Sequence, residues 1–193
     1  YINSTDNSAG NISISDSAII AKSLFPGLFA SGNMTIDGGT LQATSTVDSP
    51  LWAKGNIAIR GKAKVTLSGE YPSGCNGNFT VYEAEIDAKN TSQNNIPALA
   101  DCPTINDDFA LTYAIAVDSE GTSIDLIEHD GAEQAKGFLH LYKNIHFITG
   151  EKTVTYSIPF TKVVKKGGDI APGKQEFKLE VFDVGVGQIE NYS

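Results

Sequence analysis

Apolar and small polar residues alternate along the first half of the chain, and one short pattern of this kind occurs four times. The pattern is Gly-Asn followed by alternating apolar and small or polar residues, and it covers 10–14, 32–36, 55–59 and 77–81. Alternation with a period of two is typical of strands, and recurrence every 22 or 23 residues is typical of a solenoid. We therefore predict an all-β fold that begins with a short right-handed parallel β-helix over residues 1–105, with about four to five coils of 22–23 residues.

The alternation also predicts which side chains point into the β-helix. After each Gly-Asn, the two apolar positions would stack on their equivalents in the next coil and form two inward columns. These columns contain Ile12, Met34, Ile57 and Phe79, and then Ile14, Ile36, Ile59 and Val81. The outward positions between them carry small or polar residues, which suits a strand with one solvated face.

The asparagine of the pattern recurs at one corner of the predicted coils. Asparagine tolerates a left-handed backbone, and its side-chain amide can bond to the same side-chain amide one coil away. We predict this structural role for Asn11, Asn33, Asn56 and Asn78. Three of them begin Asn-x-Ser/Thr sequons, but a corner residue followed by a strand is a poor glycosylation site. Sequons in open loops are expected only at Asn3 and Asn90.

From residue 106 the period disappears and a different arrangement is predicted. Runs rich in apolar, β-branched and aromatic residues are separated by short glycine-containing turns, which is typical of antiparallel hairpins or a small sandwich. The predicted strands are 109–117, 123–127, 138–148, 152–164 and 175–184. At most one helical turn is expected, at 132–135. The chain thus divides into a parallel part, 1–105, and an antiparallel part, 106–193.

The chain has two cysteines, Cys75 and Cys102. When the coils are aligned, Cys75 shares a column with Ala53 and Ala100, and Cys102 lies two positions further along in the next coil. Neighbouring coils are about 4.8 Å apart, so a disulfide between the two cysteines is geometrically reasonable and is our prediction. Such a disulfide would indicate an oxidising, extracellular setting. The alternative is two unconnected thiols, because sequence separation alone does not decide the pairing.

Composition narrows the classes of partner. The formal net charge is −9, and the basic cluster at Lys162, Lys165 and Lys166 is too short to release counterions from a nucleic acid or an anionic membrane. No apolar run is long enough to span a bilayer. We therefore expect neither a nucleic-acid partner nor membrane insertion. Residues 1–9 resemble the tail of an earlier coil, so we expect the chain to be part of a longer protein.

The residues suited to catalysis or metal binding do not form a known pattern. Cleavage of a polysaccharide would need clustered carboxylates on one outward face, but the corner column holds Ser15, Asp37 and Arg60. His140 and His146 fall on one predicted strand about 20 Å apart, which is too far to share a metal. The sequence predicts no catalytic residues, no metal site and no cofactor. A polysaccharide lyase or glycoside hydrolase is the less favoured alternative.

Two parts of the chain resemble known families. The Gly-Asn coils, with intervening segments such as 37–44, resemble the β-helical repeats of large surface proteins from Gram-positive (Firmicutes) gut bacteria. Residues 157–193, through segments 158–164 and 172–183, are similar to the opening strands of streptococcal pilin isopeptide-linkage modules, which are immunoglobulin-like. Both resemblances imply an extracellular location on a bacterial cell surface.

The pilin resemblance also implies a role for one lysine. In that family a lysine on the first strand forms an amide with an asparagine on the last strand, and a buried carboxylic acid promotes the reaction. Lys162 stands where such a lysine would, but the strand that carries the asparagine is missing. No internal isopeptide bond is therefore expected, and an intact mass lighter by one ammonia would contradict this expectation.

Two non-catalytic functions remain beside the enzyme alternative. The first is a structural or adhesive segment of a bacterial cell-surface protein. The second is a carbohydrate-binding module, because Phe29 and Trp52 occupy the same outward position in consecutive coils, where aromatic rings can stack on sugars. The expected partner is a host or cell-wall glycan, or a protein.

Overall fold

The computed structural model describes residues 10–118 and 120–152, which all belong to one compact unit. The predictions for Asn3, Lys162, the strand 175–184, most of the strand 152–164 and the pilin-like segment 157–193 lie outside the described residues. Within them the fold is nearly all β, as predicted.

Short parallel strands form the coils. In chain order they are β1 (Ile12–Ser15), β2 (Ala18–Ser23), β3 (Leu28–Ala30), β4 (Met34–Asp37), β5 (Thr40–Ser45), β6 (Leu51–Ala53), β7 (Ile57–Arg60), β8 (Ala63–Gly69), β9 (Gly74–Cys75), β10 (Phe79–Val81), β11 (Ala84–Asn90) and β12 (Thr104–Ile105). As far as β11, every third strand joins the same sheet. The first sheet runs β1-β4-β7-β10 and is continued by β12, and the third runs β3-β6-β9. The predicted parallel solenoid is confirmed, with about four turns.

The predicted inward columns are also confirmed. Ile12 pairs with Met34, Met34 with Ile57, and Ile57 with Phe79, and the second column pairs in the same way. In the middle coils these residues are completely buried. The second sheet adds Leu41, Val65 and Ile86, and the third adds Leu28 and Leu51. Each coil thus contributes one layer to a continuous apolar core.

The predicted asparagine ladder exists, but its bonds differ from the prediction. The Oδ1 of Asn11 accepts the backbone N–H of Asn33 at 2.8 Å. In the same way the Asn33 Oδ1 accepts the N–H of Asn56, and the Asn56 Oδ1 accepts the N–H of Asn78, both at 2.8 Å. The left-handed backbone expected at these residues is wrong. Among the described non-glycine residues, positive φ occurs at Asp16 (44°) and Lys62 (62°), which lie at the next corner.

The ladder explains why glycine precedes asparagine in the repeated pattern. A Cβ on Gly55 would overlap the Asn33 Oδ1 and the Gly32 carbonyl oxygen of the neighbouring coil. A Cβ on Gly77 would meet the Asn56 Oδ1 in the same way. Only a residue without a side chain lets the asparagine oxygen approach the backbone this closely.

A second group of strands extends the second sheet in the antiparallel sense. It consists of β13 (Phe109–Val117), β14 (Ser123–Asp125) and β15 (Asn144–Glu151), and the sheet order is β14-β13-β15-β11-β8-β5-β2. β15 pairs directly with β11, the last parallel strand of the sheet. Residue 105 therefore separates parallel from antiparallel pairing, while the core continues across this change.

The predicted strands 123–127 and 138–148 are both wrong in part. β14 ends at Asp125, because the Asp125 Oδ1 accepts the backbone N–H groups of Ile127 and Glu128 and caps a helix. Two short helices follow, α1 (Leu126–Asp130) and α2 (Ala132–Ala135), and then a 3₁₀ turn at Lys136–Phe138. The strand itself begins only at Asn144. His140 consequently lies in a turn and not on a strand with His146.

Asn90 does not lie in an open loop as predicted. It is fully buried, and its Nδ2 donates to the carbonyl oxygens of Glu70 (3.0 Å) and Pro97 (3.3 Å). The backbone N–H of Asn90 donates to the carbonyl oxygen of Lys143 at 2.8 Å. Asn90 therefore ties residues 91–98, the segment that interrupts the fourth coil between β11 and Leu99, to the chain that leads into β15.

Candidate functional site

Phe29 and Trp52 lie side by side on the outer face of the third sheet. Both are central residues of their strands, and Phe29 on β3 pairs with Trp52 on β6 in the parallel register. Each aromatic residue is half-buried and stands between two buried neighbours that point into the core. The outward position that the sequence predicted for both rings is therefore the position they occupy.

The two rings line an open groove of about 450 Å³ that crosses consecutive coils. Its walls come from the turns that precede the third-sheet strands. The lining residues are Pro26, Phe29, Asp48, Ser49, Trp52, Tyr71, Pro72 and Ala100. We call this surface the aromatic groove. Proline, whose backbone has one fixed torsion, stands at Pro26 and Pro72, so two of the turns have little freedom to move.

Tyr71 is a residue of the groove that sequence reasoning missed. It lies one coil beyond Trp52, and its side chain is 56% exposed although it is large and aromatic. The signal that could have found Tyr71 is its position directly before Pro72, because a proline precedes the third strand of each of these coils. The alternation rule did not apply to Tyr71, because it lies in a turn and not in a strand.

Gly74 determines how Trp52 sits in the groove. Gly74 follows Trp52 in the outward column of the third sheet. A Cβ at Gly74 would lie 3.4 Å from the Trp52 Cζ3 and 2.8 Å from the Ala100 Cβ. The indole therefore reaches over the third coil, where no side chain obstructs it. The row of aromatic side chains on this sheet ends at this point.

Asp48 is the only residue of the groove lining that carries a carboxyl group. Its Oδ1 accepts the backbone N–H of Ser49 at 2.7 Å, and its own N–H donates to the Ser45 Oγ at 2.9 Å. Its carbonyl oxygen accepts the N–H of Tyr71 at 3.4 Å. The turn is thus held in place, and Asp48 Oδ2 has no hydrogen-bond partner among the described residues. A carboxylate in this state can accept a hydrogen bond from a ligand hydroxyl group.

The disulfide prediction is wrong, because Cys75 and Cys102 are both free thiols. Ser73 pairs with Leu99, so Ala100 is next to Gly74 and not next to Cys75 as the alignment assumed. The segment that interrupts the fourth coil shifts this register by one residue. The Cys102 Sγ instead donates to the Lys136 carbonyl oxygen at 2.9 Å. Burial raises the pKa of both thiols, so neither is activated as a nucleophile.

No group of three or more His, Cys, Asp or Glu side chains is arranged to hold a metal ion in the part of the chain that the structure describes. No helix within 10–118 and 120–152 is long and apolar enough to cross a membrane.

Comparison with known proteins finds no matching family model, no similar curated protein and no similar solved structure. The chemistry of the aromatic groove must therefore be derived from its own geometry.

Proposed function

We propose that this chain is a non-catalytic, adhesive segment of a bacterial cell-surface protein and that it binds carbohydrate in the aromatic groove. The observation that carries the proposal is the placement of Phe29 and Trp52 side by side on an outward sheet face, with Tyr71 exposed beside them. Aromatic faces bind the C–H-rich faces of sugar rings, because they exclude water from apolar surface and leave the hydroxyl groups solvated.

The scaffold favours binding because the rings are already in position. Phe29 and Trp52 belong to strands that are paired in register and anchored by fully buried leucines, Leu28 and Leu51. A rigid platform loses little conformational entropy when a ligand binds. Neighbouring strands are about 4.8 Å apart, so the two aromatic residues stand at a spacing that suits adjoining sugar units of one chain.

The charge of the groove favours uncharged glycans. Asp48 lies in the lining, and the protein as a whole has a formal net charge of −9. An acidic sugar would be repelled, whereas a neutral sugar could donate a hydroxyl hydrogen bond to the Asp48 carboxylate. We therefore expect the ligand to be a neutral oligosaccharide.

The proposed cell-surface location rests on the resemblance of the Gly-Asn coils to surface-protein repeats. A disulfide would have supported an extracellular location, but Cys75 and Cys102 are free thiols. The competing function is a spacer that presents other domains and binds no glycan. The stacked coils and their continuous core would serve a spacer equally well, so binding measurements must separate the two functions.

The experiment is affinity-gel and glycan-array binding with matched neutral and acidic polysaccharides. Trp52 is the only tryptophan in the chain, so its fluorescence reports on the groove alone. We expect the wild type to bind a neutral glycan with a change in Trp52 emission, and Trp52→Ala to weaken binding about tenfold, or about 1.4 kcal/mol. Phe29→Ala and Tyr71→Ala should each weaken it less.

Leu141→Ala is the control, because Leu141 is an exposed apolar residue (55%) outside the groove lining. It should bind like the wild type. If the wild type binds no glycan, the carbohydrate-binding function is wrong and the spacer function is favoured. If Trp52→Ala binds as well as the wild type, the aromatic groove is not the binding site.

A further inference from the structure

The outer face of the second sheet carries a second, chemically different concave surface. It encloses about 430 Å³ and is lined by residues of β2, β5, β8, β11 and β15. Its polar side chains are Thr40, Gln42, Lys64, Thr66, Glu85, Asp87 and His146. We call this surface the sheet-face site. It shares no lining residue with the aromatic groove.

The strand register arranges four of these side chains in one row. Gln42 pairs with Thr66, Thr66 with Asp87, and Asp87 with His146. Because these residues are direct neighbours across the sheet, their side chains project from the same face at intervals of about 4.8 Å. The row thus offers an amide, a hydroxyl, a carboxylate and an imidazole at regular spacing along the stacking direction of the coils.

A second row beside the first contains Lys64 and Glu85, and Glu85 also reaches His146 of the first row. The Glu85 Oε2 lies 3.0 Å from the Lys64 Nζ, and the Glu85 Oε1 lies 3.3 Å from the His146 Nε2. The hydrogen bond from Lys64 is the main cause of a lowered pKa for Glu85, so this carboxylate stays ionised and oriented. These contacts fix the His146 ring, which also makes an edge-to-face contact with Tyr113 at 5.1 Å.

Asp87 differs from Glu85, because it has no ion-pair or hydrogen-bond partner among the described residues. It is exposed and stands between Thr66 and His146 in the first row. After the pairing of Lys64 with Glu85, the site therefore presents one carboxylate without a partner, together with the Gln42 amide and the Thr66 hydroxyl, beside the exposed Ile20. This combination suits a ligand with many hydroxyl groups and no negative charge.

We propose that the sheet-face site binds a second stretch of neutral oligosaccharide, held by hydrogen bonds and not by aromatic stacking. The chain would cross the strands, so that successive sugar units meet Gln42, Thr66 and Asp87. A pyranose unit with its glycosidic oxygen has about the length of one strand spacing, so a regular glycan matches a regular row. The proposal rests on carbohydrate binding as the proposed function and adds a second site to it.

His146 connects this site to the antiparallel part of the fold. It belongs to β15 and reaches Glu85, which is 61 residues earlier in the chain. The row is therefore complete only when β15 is paired with β11. A solenoid of parallel coils alone would present Gln42, Thr66 and Asp87 without the imidazole at the end of the row.

The experiment follows two reporters in the full chain while neutral hexasaccharides of glucose, xylose and mannose are added. Trp52 fluorescence reports on the aromatic groove, and the NMR signals of the His146 imidazole report on the sheet-face site. We expect at least one hexasaccharide to shift the His146 signals, and to do so also in Trp52→Ala. In the Trp52→Ala background, Asp87→Ala should weaken binding, as followed by the His146 signals, about tenfold.

Two variants control for indirect effects. Asp87→Asn keeps the size and the acceptor oxygen, so it should retain most of the binding of neutral chains. Thr35→Ala removes an outward, half-buried hydroxyl from the first sheet, outside the sheet-face site, and should change nothing. If Asp87→Asn and Asp87→Ala both bind like the wild type, the assignment of the row is wrong.

The outcomes separate the two proposals. A Trp52 response without a His146 response overturns the sheet-face site and leaves the aromatic groove intact. A His146 response without a Trp52 response overturns the groove and supports the sheet-face site. No response of either reporter to any of the hexasaccharides overturns both.

Discussion

The parallel coils and the antiparallel strands are stabilised by different kinds of contact. In the coils the same contact is repeated, as in the ladder in which Asn33, Asn56 and Asn78 each donate a backbone N–H to the preceding asparagine at 2.8 Å. In the antiparallel strands each contact occurs once. Thr149 on β15, for example, accepts the Ala84 N–H at 3.0 Å, and its hydroxyl donates to the Tyr82 carbonyl oxygen.

This difference shows where the fold is most sensitive. Each coil contacts mainly its neighbours, so damage to one rung leaves the other rungs in place. The antiparallel strands join the coils through the pairing of β15 with β11, where the completely buried Phe147 stands opposite Ile86. A substitution at this junction has no repeated equivalent elsewhere in the fold, so we expect it to destabilise both parts.

Phe147→Ala should destabilise the protein by about 3–5 kcal/mol, because it leaves a large cavity where the two parts share their core. Ile57→Val in a middle coil, at a position that is equally buried, should cost only about 0.5–1.5 kcal/mol. Urea unfolding followed by circular dichroism measures both values. Ile20→Ala is the control, because Ile20 is 68% exposed. Equal losses at Phe147 and Ile20 would contradict the proposed junction.

Gly55→Ala should destabilise the coils by about 2–3 kcal/mol, because the new methyl group overlaps the Asn33 Oδ1 and the neighbouring backbone. Combining it with Asn33→Ala should cost less than the sum of the two single changes, since one of the clashes is then absent. Gly137→Ala is the matched control, because a Cβ there meets nothing within 4 Å. The same unfolding assay applies, and strictly additive losses would speak against the close approach.

Thr149→Val should cost about 1–2 kcal/mol, because it keeps the size of the side chain but leaves the buried Ala84 N–H without an acceptor. Thr149→Ser keeps the hydroxyl and should preserve this hydrogen bond. Hydrogen exchange provides the local measurement: the Ala84 amide should exchange faster in the valine variant and at a nearly unchanged rate in the serine variant. Unchanged protection in the valine variant would exclude this role.

The smallest effect concerns pH. Lys64 lowers the pKa of Glu85 in the folded state, so this interaction stabilises the fold above the ordinary glutamate pKa and is lost as the pH falls through the lowered value. Because Glu85 is about one-third exposed, we expect only about 0.3 kcal/mol. Glu85→Gln should lose this amount near pH 7 and nothing near pH 2. Equal differences at both pH values would rule out this linkage.

Sequence reasoning also differed in success between the two regions. The columns that begin at Ile12 and Ile14, and the outward placement of Phe29 and Trp52, followed from the alternation and the period. The helical turn expected at 132–135 is α2, but the helix at Leu126–Asp130 was missed. Its buried residue, Leu126, lies too close to turn residues to show a helical period of its own. The disulfide prediction failed for another reason. The segment that interrupts the fourth coil shifts the pairing register of that coil by one residue.

The sequence by itself determined the solenoid, its two inward columns and the outward position of Phe29 and Trp52. Alternation and period are local properties, and stacking identical turns needs no further information. Tertiary structure alone decided that Tyr71 completes the aromatic groove, that Cys102 contacts Lys136, and that His146 reaches Glu85. These contacts depend on how turns and distant strands meet, over separations as large as 61 residues. No periodic pattern encodes such a meeting, because each occurs only once in the chain.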